Sequence, residues 1–368
     1  MFKNTYRDKT VMVTGNTGFK GSWLTLWLMD LGAKVIGVSD GIPTQPSMFE
    51  ILGLKNEITH HFADVNDSET MQNLVAKYKP DFLFHLAAQP IVSSSYKEPL
   101  KTFQTNIIGT ANVLEALRIS NHRCDAVFIT SDKCYENVEW TWGYRENDRL
   151  GGKDPYSASK AGAEIIIYSY HNSFFSKTDS LVRLVSVRAG NVIGGGDWAE
   201  SRIIPDCVRA WAKHEAVVIR RPQATRPWQH VLEPISGYLT AGQSLNEQMI
   251  LNGESFNFGP PADQTFTVQQ TLEAIAENWS FKDNYDRVTI QEDKSFHEAG
   301  LLKLNCDKAL HKLQWKPVLN FKEATRFTAQ WYSHYYNQGS DRLREFTLAQ
   351  IESYTGSAKK MNIAWALQ

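Results

Sequence analysis

The first forty residues hold the feature that most restricts the fold. Val11-Met12-Val13 is a short apolar run that leads into Thr14-Gly15-Asn16-Thr17-Gly18-Phe19-Lys20-Gly21. A helical pattern follows, with Trp23, Leu24, Trp27, Leu28 and Leu31 on one stripe and Gly32 as its stop. Lys34 to Val38 then reads as a second strand, closed by Ser39-Asp40. Strand, glycine-rich turn, helix and strand in this order specify a parallel unit with a crossover helix. Gly15 and Gly18 let the backbone approach a pyrophosphate held at the helix N-terminus, and Gly21 allows close helix–strand packing. Asp40, 19 positions beyond Gly21, is placed to accept hydrogen bonds from a ribose. No Arg or Lys follows it closely to hold a 2′-phosphate, which favours NAD over NADP. The plain alternative is a glycine turn that binds nothing.

The alternation continues. Ile58 to Phe62 is a strand whose end, Asp64-Val65, is placed to meet an adenine. Glu69 to Lys79 is helical, and Asp81 to Ala88 carries a buried strand. The small Ala87 and Ala88 after it suit a backbone pressed against a cofactor. His85 alone reads as a packed strand histidine. Lys101 to Arg118 is a long helix carrying Asn106, and Ser180 to Val187 is the next apolar strand. The expected architecture is α/β: a Rossmann-like, doubly wound parallel sheet with a smaller mixed α/β C-terminal lobe.

The chemistry is expected between Ile129 and Lys160. Ser131-Asp132-Lys133-Cys134-Tyr135 follows the apolar run Ala126 to Ile129, so it lies at the carboxyl end of a strand, where such sheets bind ligands. Tyr156-Ser157-Ala158-Ser159-Lys160 opens a helix that continues from Ala161 to Tyr168, and it puts Tyr156 and Lys160 one turn apart on one face. A phenol loses its proton near pH ~10, and a neighbouring ammonium is expected to favour the phenolate. Asp132-Lys133 adds a second acid/base pair; its structural alternative is an ion pair at a strand end.

After Gly190 the character changes. Asn191 to Trp198 is too glycine-rich to form an element, and Arg202, Arg209, Arg220, Arg221 and Arg226 accumulate. Net charge is −1 with 21% charged residues, so this cluster points to an anionic small molecule rather than nucleic acid. The expected division is residues 1–188 for the dinucleotide, with a return strand near 251–260. Residues 189–250 and 261–345 form a substrate lobe, within which Phe266 to Trp279, Lys308 to Leu313 and Phe321 to Tyr336 read as helices. Residues 346–368 form a tail, poorly ordered from Thr355. No apolar run reaches the ~20 residues that span a bilayer, and no secretory signal opens the chain. Four scattered cysteines lack metal spacing, and His297-Glu298 lacks the second histidine of a zinc helix. Free thiols, no metal and a cytoplasmic setting are expected.

TGxxGFxG at Thr14 to Gly21 and YxxxK at Tyr156 to Lys160 make the chain resemble an extended short-chain dehydrogenase/reductase. Within that superfamily it is most similar to the nucleotide-sugar 4,6-dehydratases of the CDP-glucose branch. The strings that carry this are Thr14 to Trp23, His85 to Pro90, Thr130 to Tyr135, Trp142 to Asn147, Arg188 to Trp198 and Arg226 to Pro234. The resemblance implies NAD as cofactor, held by Gly15, Thr17, Gly18, Phe19, Lys20, Asp40, Asp64, Val65, Ala87, Ala88, Asn106, Tyr156 and Lys160. It implies a nucleotide-diphosphate sugar held by Gln89, Tyr135, Asn191, Arg202, Arg226 and His297, and a homodimer or homotetramer. Tyr156, Lys160 and Ser131 would oxidise C4, Lys133 would take the C5 proton, and Asp132 would protonate the departing C6 hydroxyl. Related dTDP- and GDP-sugar enzymes place a Glu at the position of Lys133, and a lysine must be deprotonated to act as a base. A 4-epimerase needs Tyr156, Lys160 and Ser131 but no acid/base pair beside them. A non-catalytic sensor on this fold is expected to lose the Tyr/Lys pair.

Overall fold

The computed structural model describes residues 1–279, 281, 287–291 and 301–367. Its centre is a seven-stranded, wholly parallel sheet. In chain order the strands are β1 (Thr10–Thr14), β2 (Lys34–Ser39), β3 (Thr59–Phe62), β4 (Phe82–His85), β5 (Cys124–Ile129), β6 (Val182–Ala189) and a last strand, Ser255–Phe258. Across the sheet they run Ser255–Phe258, β6, β5, β4, β1, β2, β3. The order reverses between β1 and β4, the switch point at which open α/β sheets bind their ligands. Side chains alternate between faces: Val11 and Val13 enter one core, and Met12 enters the other. Both faces are covered, which is why β1, β4 and β5 read as continuous apolar runs.

Helix α1 (Phe19–Asp30) begins at Gly18 and is followed by Gly32 in the left-handed region, as its sequence signals predict. The one-sided stripe expected for it is incomplete, because every residue from Gly21 to Leu28 is buried. The missing cover is the C-terminal segment. The expected disorder beyond Thr355 is replaced by a helix, Leu343–Lys360, packed against α1. Its buried positions, Leu343, Thr347, Gln350, Ile351, Tyr354, Thr355 and Ala358, recur at helical period; Thr347 and Gln350 bond to Trp331 and Phe327, and Tyr354 turns toward α1. Trp27 meets Tyr354 and Trp365 edge-on at 5.9 and 6.0 Å, and Trp365 stacks on Phe2 at 5.0 Å.

Two further expectations are corrected. The segment read as one helix from Lys101 is Pro99–Phe103 and Gly109–Ile119, joined through a π turn at Gln104–Ile108. The glycine-rich stretch after Gly190 contains a short strand, Val192–Ile193, parallel to Gln229–His230. The helices predicted past Gly259 are present as Val268–Ala276, Asp307–Leu313 and Phe321–Gln338. All four cysteines are free thiols. Among the described residues, no helix is long and apolar enough to cross a membrane.

Candidate active site

At the carboxyl ends of β1, β2, β4 and β5 lies a cavity of about 790 Å³. Its wall takes Gly15, Gly18, Phe19 and Lys20 from the first turn, Asp40 after β2, and Asp64 and Val65 after β3. Ala87 and Ala88 follow β4, Ser131 follows β5, and Tyr156, Lys160 and Arg202 close the other side.

The glycine turn is built by crowding. Gly15 has φ +73°, and a Cβ there would stand 2.7 Å from Ala87 N. A Cβ on Gly21 would lie 2.0 Å from Gly15 O. At Gly18 a Cβ would meet nothing nearer than Gly15 O at 3.4 Å, so it would occupy the cavity itself. The turn therefore leaves open the space in front of the α1 N-terminus, where backbone N–H groups and the helix dipole suit a diphosphate. Asp40 is exposed at the rim. A dinucleotide fits this donor set.

The helix carrying Tyr156 and Lys160, Pro155–Tyr170, is started by local chemistry. Asp154 caps it, accepting from Ser157 N at 2.9 Å and Ser157 Oγ at 2.6 Å, and Pro155 takes the first helical position. Ser131 caps its own turn at Asp132–Cys134: Oγ accepts from Lys133 N at 3.2 Å and donates to Asp132 Oδ1 at 2.9 Å. Ser131, Asp132, Tyr156 and Lys160 are all buried.

Charge states follow from this dryness. Burial is the largest influence on Tyr156 and pushes its phenol up to about 12; Asp132 and Asp154 push the same way, against the Ser131 hydroxyl and Arg202. Burial also brings Lys160 down to about 8, with Glu164 opposing it. Burial penalises the charged form of each partner and so opposes the lowering of the phenol expected from Lys160. His85 is held between Thr14 Oγ1 at 2.8 Å and Thr110 Oγ1 at 3.1 Å, and burial lowers it to about 3. It is a packed strand histidine, as predicted.

Several sequence candidates lie off the wall. Tyr135 is buried, donates to Asn257 Oδ1 at 2.8 Å and accepts from Arg188 Nη1 at 2.7 Å, so it packs and does not face the cavity. Asn106 receives Gln89 N at 2.8 Å and donates to Gln89 O at 3.1 Å and Ser159 Oγ at 2.8 Å. Gln89 in turn donates to Thr102 Oγ1 at 2.8 Å. These two amides tie the loop after β4 to the Tyr156 helix. Asn191 immediately precedes the short strand Val192–Ile193, Arg226 pairs with Phe266, and neither lines the cavity. His297 lies outside the described residues. Lys133 is half-buried, and no side-chain bond or ion pair joins it to Asp132.

Sequence reasoning missed Asp197 and Glu164 as site groups, and named Arg209 only as one of a basic cluster. Asp197 pairs with Arg202 at 2.8 Å and fixes it on the wall. Arg209 also lines the cavity. Glu164, one turn beyond Lys160, is buried against Arg188 at 2.7 Å. Its spacing from Lys160 was the available signal; the arginine lies too far along the chain to be read.

Residues 12–328 match the family described as GDP-mannose 4,6 dehydratase. The chain is 44% identical over 344 residues to the CDP-glucose 4,6-dehydratase of Salmonella typhimurium, covering 93% of this chain and 95% of that protein. It is 24% identical to the dTDP-glucose 4,6-dehydratase of Haemophilus influenzae, over 88% of this chain and 97% of that one. Among solved structures, the UDP-glucose 4-epimerase of Thermotoga maritima with UDP-glucose aligns at TM-score 0.75 and 23% identity, over 88% and 98% of the two chains. The dTDP-glucose 4,6-dehydratase of Streptomyces venezuelae with NAD and TYD bound aligns at TM-score 0.75 and 20% identity, over 91% and 99%. These two structures share the fold. The chain belongs to the GDP-mannose 4,6 dehydratase family.

Proposed function

We propose that this family member is an NAD-dependent CDP-glucose 4,6-dehydratase, converting CDP-glucose to CDP-4-keto-6-deoxyglucose and water in deoxysugar synthesis. The observation that carries the reading is end-to-end similarity, at 44% identity, to a CDP-glucose 4,6-dehydratase. The site is in keeping with it, because Asp132 stands against Ser131 beside the Tyr156/Lys160 pair. An epimerase, the activity of several fold neighbours, has no use for that carboxyl, since rotating a keto-sugar moves no proton at C5.

Gly15, Gly18 and the α1 N-terminus take the cofactor diphosphate, Asp40 its ribose, and Asp64 and Val65 its adenine. Bound NAD would supply the hydride acceptor for C4 and the hydride donor for C6. Tyr156 takes the C4 hydroxyl proton, with Lys160 supporting it and Ser131 fixing the hydroxyl. The ketone makes the C5 proton acidic, because the resulting carbanion is an enolate. Lys133, as the free amine, removes that proton, and Asp132, as the carboxylic acid, protonates the leaving C6 oxygen. Arg202, oriented by Asp197, pairs with the substrate diphosphate; Arg226 and Asn191 act farther along the nucleotide.

A dimer fits the surface. Leu100, Ile108, Ile165, Tyr168 and Phe174 lie on the helical segments from 99 to 175 at 76, 52, 57, 69 and 49% exposure, too much apolar surface to leave in water. Dissociation under light scattering on placing charges at Ile165 and Tyr168 tests it.

Incubation with CDP-glucose in deuterated water, read by NMR and mass spectrometry, tests the activity. Dehydrated product with deuterium at C5 supports the dehydratase. CDP-galactose without that label makes the chain an epimerase, and no turnover with NAD bound makes it a sensor.

A further inference from the structure

Asn16 stands inside the glycine turn, between Gly15 and Thr17, and is completely buried. Thr17 lines the cavity but Asn16 does not. The Asn16 side chain lies instead over Gly37 of β2, where a Cβ would come within 2.4 Å of the amide nitrogen. Gly37 is paired in register with Val13 of β1 and His60 of β3. Its bare Cα lets the amide cross β2 and reach His60 Nδ1 at 3.2 Å. At its other end the amide oxygen accepts from Ser39 Oγ at 2.9 Å, and Ser39 Oγ accepts from Thr17 N at 3.3 Å. Thr17 Oγ1 adds a bond to Gly41 O at 2.7 Å, on the far side of Asp40.

The backbone sets the sense of every bond. A peptide N–H can only donate, so Ser39 Oγ accepts from Thr17 and sends its own hydrogen to Asn16 Oδ1. That leaves the Asn16 amide NH2 as donor to His60 Nδ1, which carries a lone pair there. Burial, joined by His61 and Lys55, lowers His60 to about 4, so the ring is neutral and accepts at neutral pH. Phe62 meets that ring edge-on at 4.6 Å, and Phe49 packs on it at 5.1 Å. Thr17, Ser39, Asn16 and His60 thus form one directed chain. It joins the turn before α1, the end of β2 beside Asp40, and β3, which leads to Asp64 and Val65. Those are the segments assigned above to the diphosphate, the ribose and the adenine. A buried amide costs free energy unless it is paired. An aliphatic side chain at position 16 would fill the space without that requirement, so packing alone does not explain the amide.

We propose that Asn16, Ser39 and His60 are positioning residues for NAD: their hydrogen-bonded chain holds the glycine turn in register with the ends of β2 and β3, so that the dinucleotide meets a preformed groove. This rests on NAD as the cofactor and is independent of which sugar reaction follows. A turn free to rearrange has to be ordered when the cofactor binds, and that ordering is subtracted from affinity. Neither Asn16 nor His60 lines the cavity, so neither adds a contact to the cofactor or to the sugar. Both act through Thr17 and Ser39, which do line it. Their effect falls on NAD binding and not on the chemistry that follows once NAD is bound.

His60→Phe keeps a flat ring beside Phe49 and Phe62 and removes the acceptor; Asn16→Leu removes the amide at similar size. The purified full-length proteins are titrated with NAD by calorimetry, beside melting temperatures without NAD and steady-state kinetics with CDP-glucose. His60→Phe is expected to bind NAD roughly tenfold more weakly, the scale of one buried hydrogen-bond partner removed, and Asn16→Leu at least as weakly. KM for NAD rises in parallel, while kcat at saturating NAD and the affinity for CDP-glucose stay at the parent values. The double variant binds NAD no more weakly than Asn16→Leu alone, because the two changes break one chain. Parent-like NAD affinity beside a lowered melting temperature means that the chain only stabilises the fold, and it overturns the proposal. So does an equal loss of CDP-glucose affinity, a lowered kcat at saturating NAD, or additive loss in the double variant. His60→Leu carries the same comparison should the phenylalanine variant not fold. If the parent turns over no CDP-glucose, the dehydratase reading fails and the NAD titrations still decide this one; if the parent binds no NAD, the cofactor assignment and this proposal fall together.

Discussion

Replacing Arg188 by Met removes the cation at the centre of a buried network. Arg188 and Glu164 are each 3% exposed and 2.7 Å apart. The guanidinium also donates to Tyr135 OH at 2.7 Å, Glu146 O at 3.0 Å and Ser255 Oγ at 3.3 Å. Without it, Glu164 keeps the hydroxyls of Thr130 and Ser186 as partners but no positive charge. Breaking a buried ion pair from one side costs about 3–5 kcal/mol, and the lost bonds to Tyr135 and Glu146 place Arg188→Met at the upper end. Urea unfolding followed by tryptophan fluorescence measures it. Glu164→Gln combined with Arg188→Met removes both charges and is expected to cost at least ~2 kcal/mol less than the sum of the single changes. The sign with pH is a second check. Burial is the largest influence on Glu164 and raises it, but Arg188 and the two hydroxyls outweigh burial and hold the carboxyl below its ordinary value. Its contribution is therefore present above the unfolded value and is lost as pH falls through the folded one. In Arg188→Met only the two hydroxyls still oppose burial, the folded value rises, and the variant gains stability relative to the parent as pH falls into the carboxylate range. A cost below ~1 kcal/mol for Arg188→Met, or additivity in the double variant, refutes the reasoning.

Tyr156→Phe removes the acceptor of the C4 proton and is expected to lower kcat/KM by roughly 10²–10⁴ with NAD affinity kept, read by steady-state kinetics beside calorimetry. Gly21→Ala would put a Cβ 2.0 Å from Gly15 O; overpacking of this kind costs about 1–3 kcal/mol, so a lower melting temperature and a lost shift on adding NAD are expected. Glu233 is buried, which raises its carboxyl to about 7 against the N–H groups of Leu319 and Val318 and the Tyr354 hydroxyl. A raised carboxyl binds its proton better in the folded state, so stability falls as pH rises from about 4.5 towards 7, and Glu233→Gln is expected to flatten that slope in urea titrations.

What was legible in the sequence was local. The glycine turn, α1 and β2 are specified by residues within thirty positions of one another, and Asp154-Pro155 announces the helix that brings Tyr156 and Lys160 onto one face. The return of Ser255–Phe258 to the sheet was readable as a strand expected near 251–260. What was not legible depends on distant partners. Tyr135, Gln89 and Asn106 have side chains suited to a ligand, but Arg188, Asn257, Thr102 and Ser159 satisfy them inside the protein. Lys20 reads as a residue of the phosphate turn until Tyr238, 218 positions away, shows where its ammonium ends. The C-terminal helix carried its periodic stripe in plain view, yet polar neighbours masked it and its partner, α1, lies at the other end of the chain.

The central claim is that hydride leaves C4 and returns to C6 of the same sugar within one site. CDP-glucose deuterated at C4, turned over and analysed by NMR, tests it most directly. The account predicts deuterium in the C6 methyl group of a 4-keto-6-deoxy sugar. Deuterium recovered at C4 of an epimerised sugar, or lost to the medium, contradicts it.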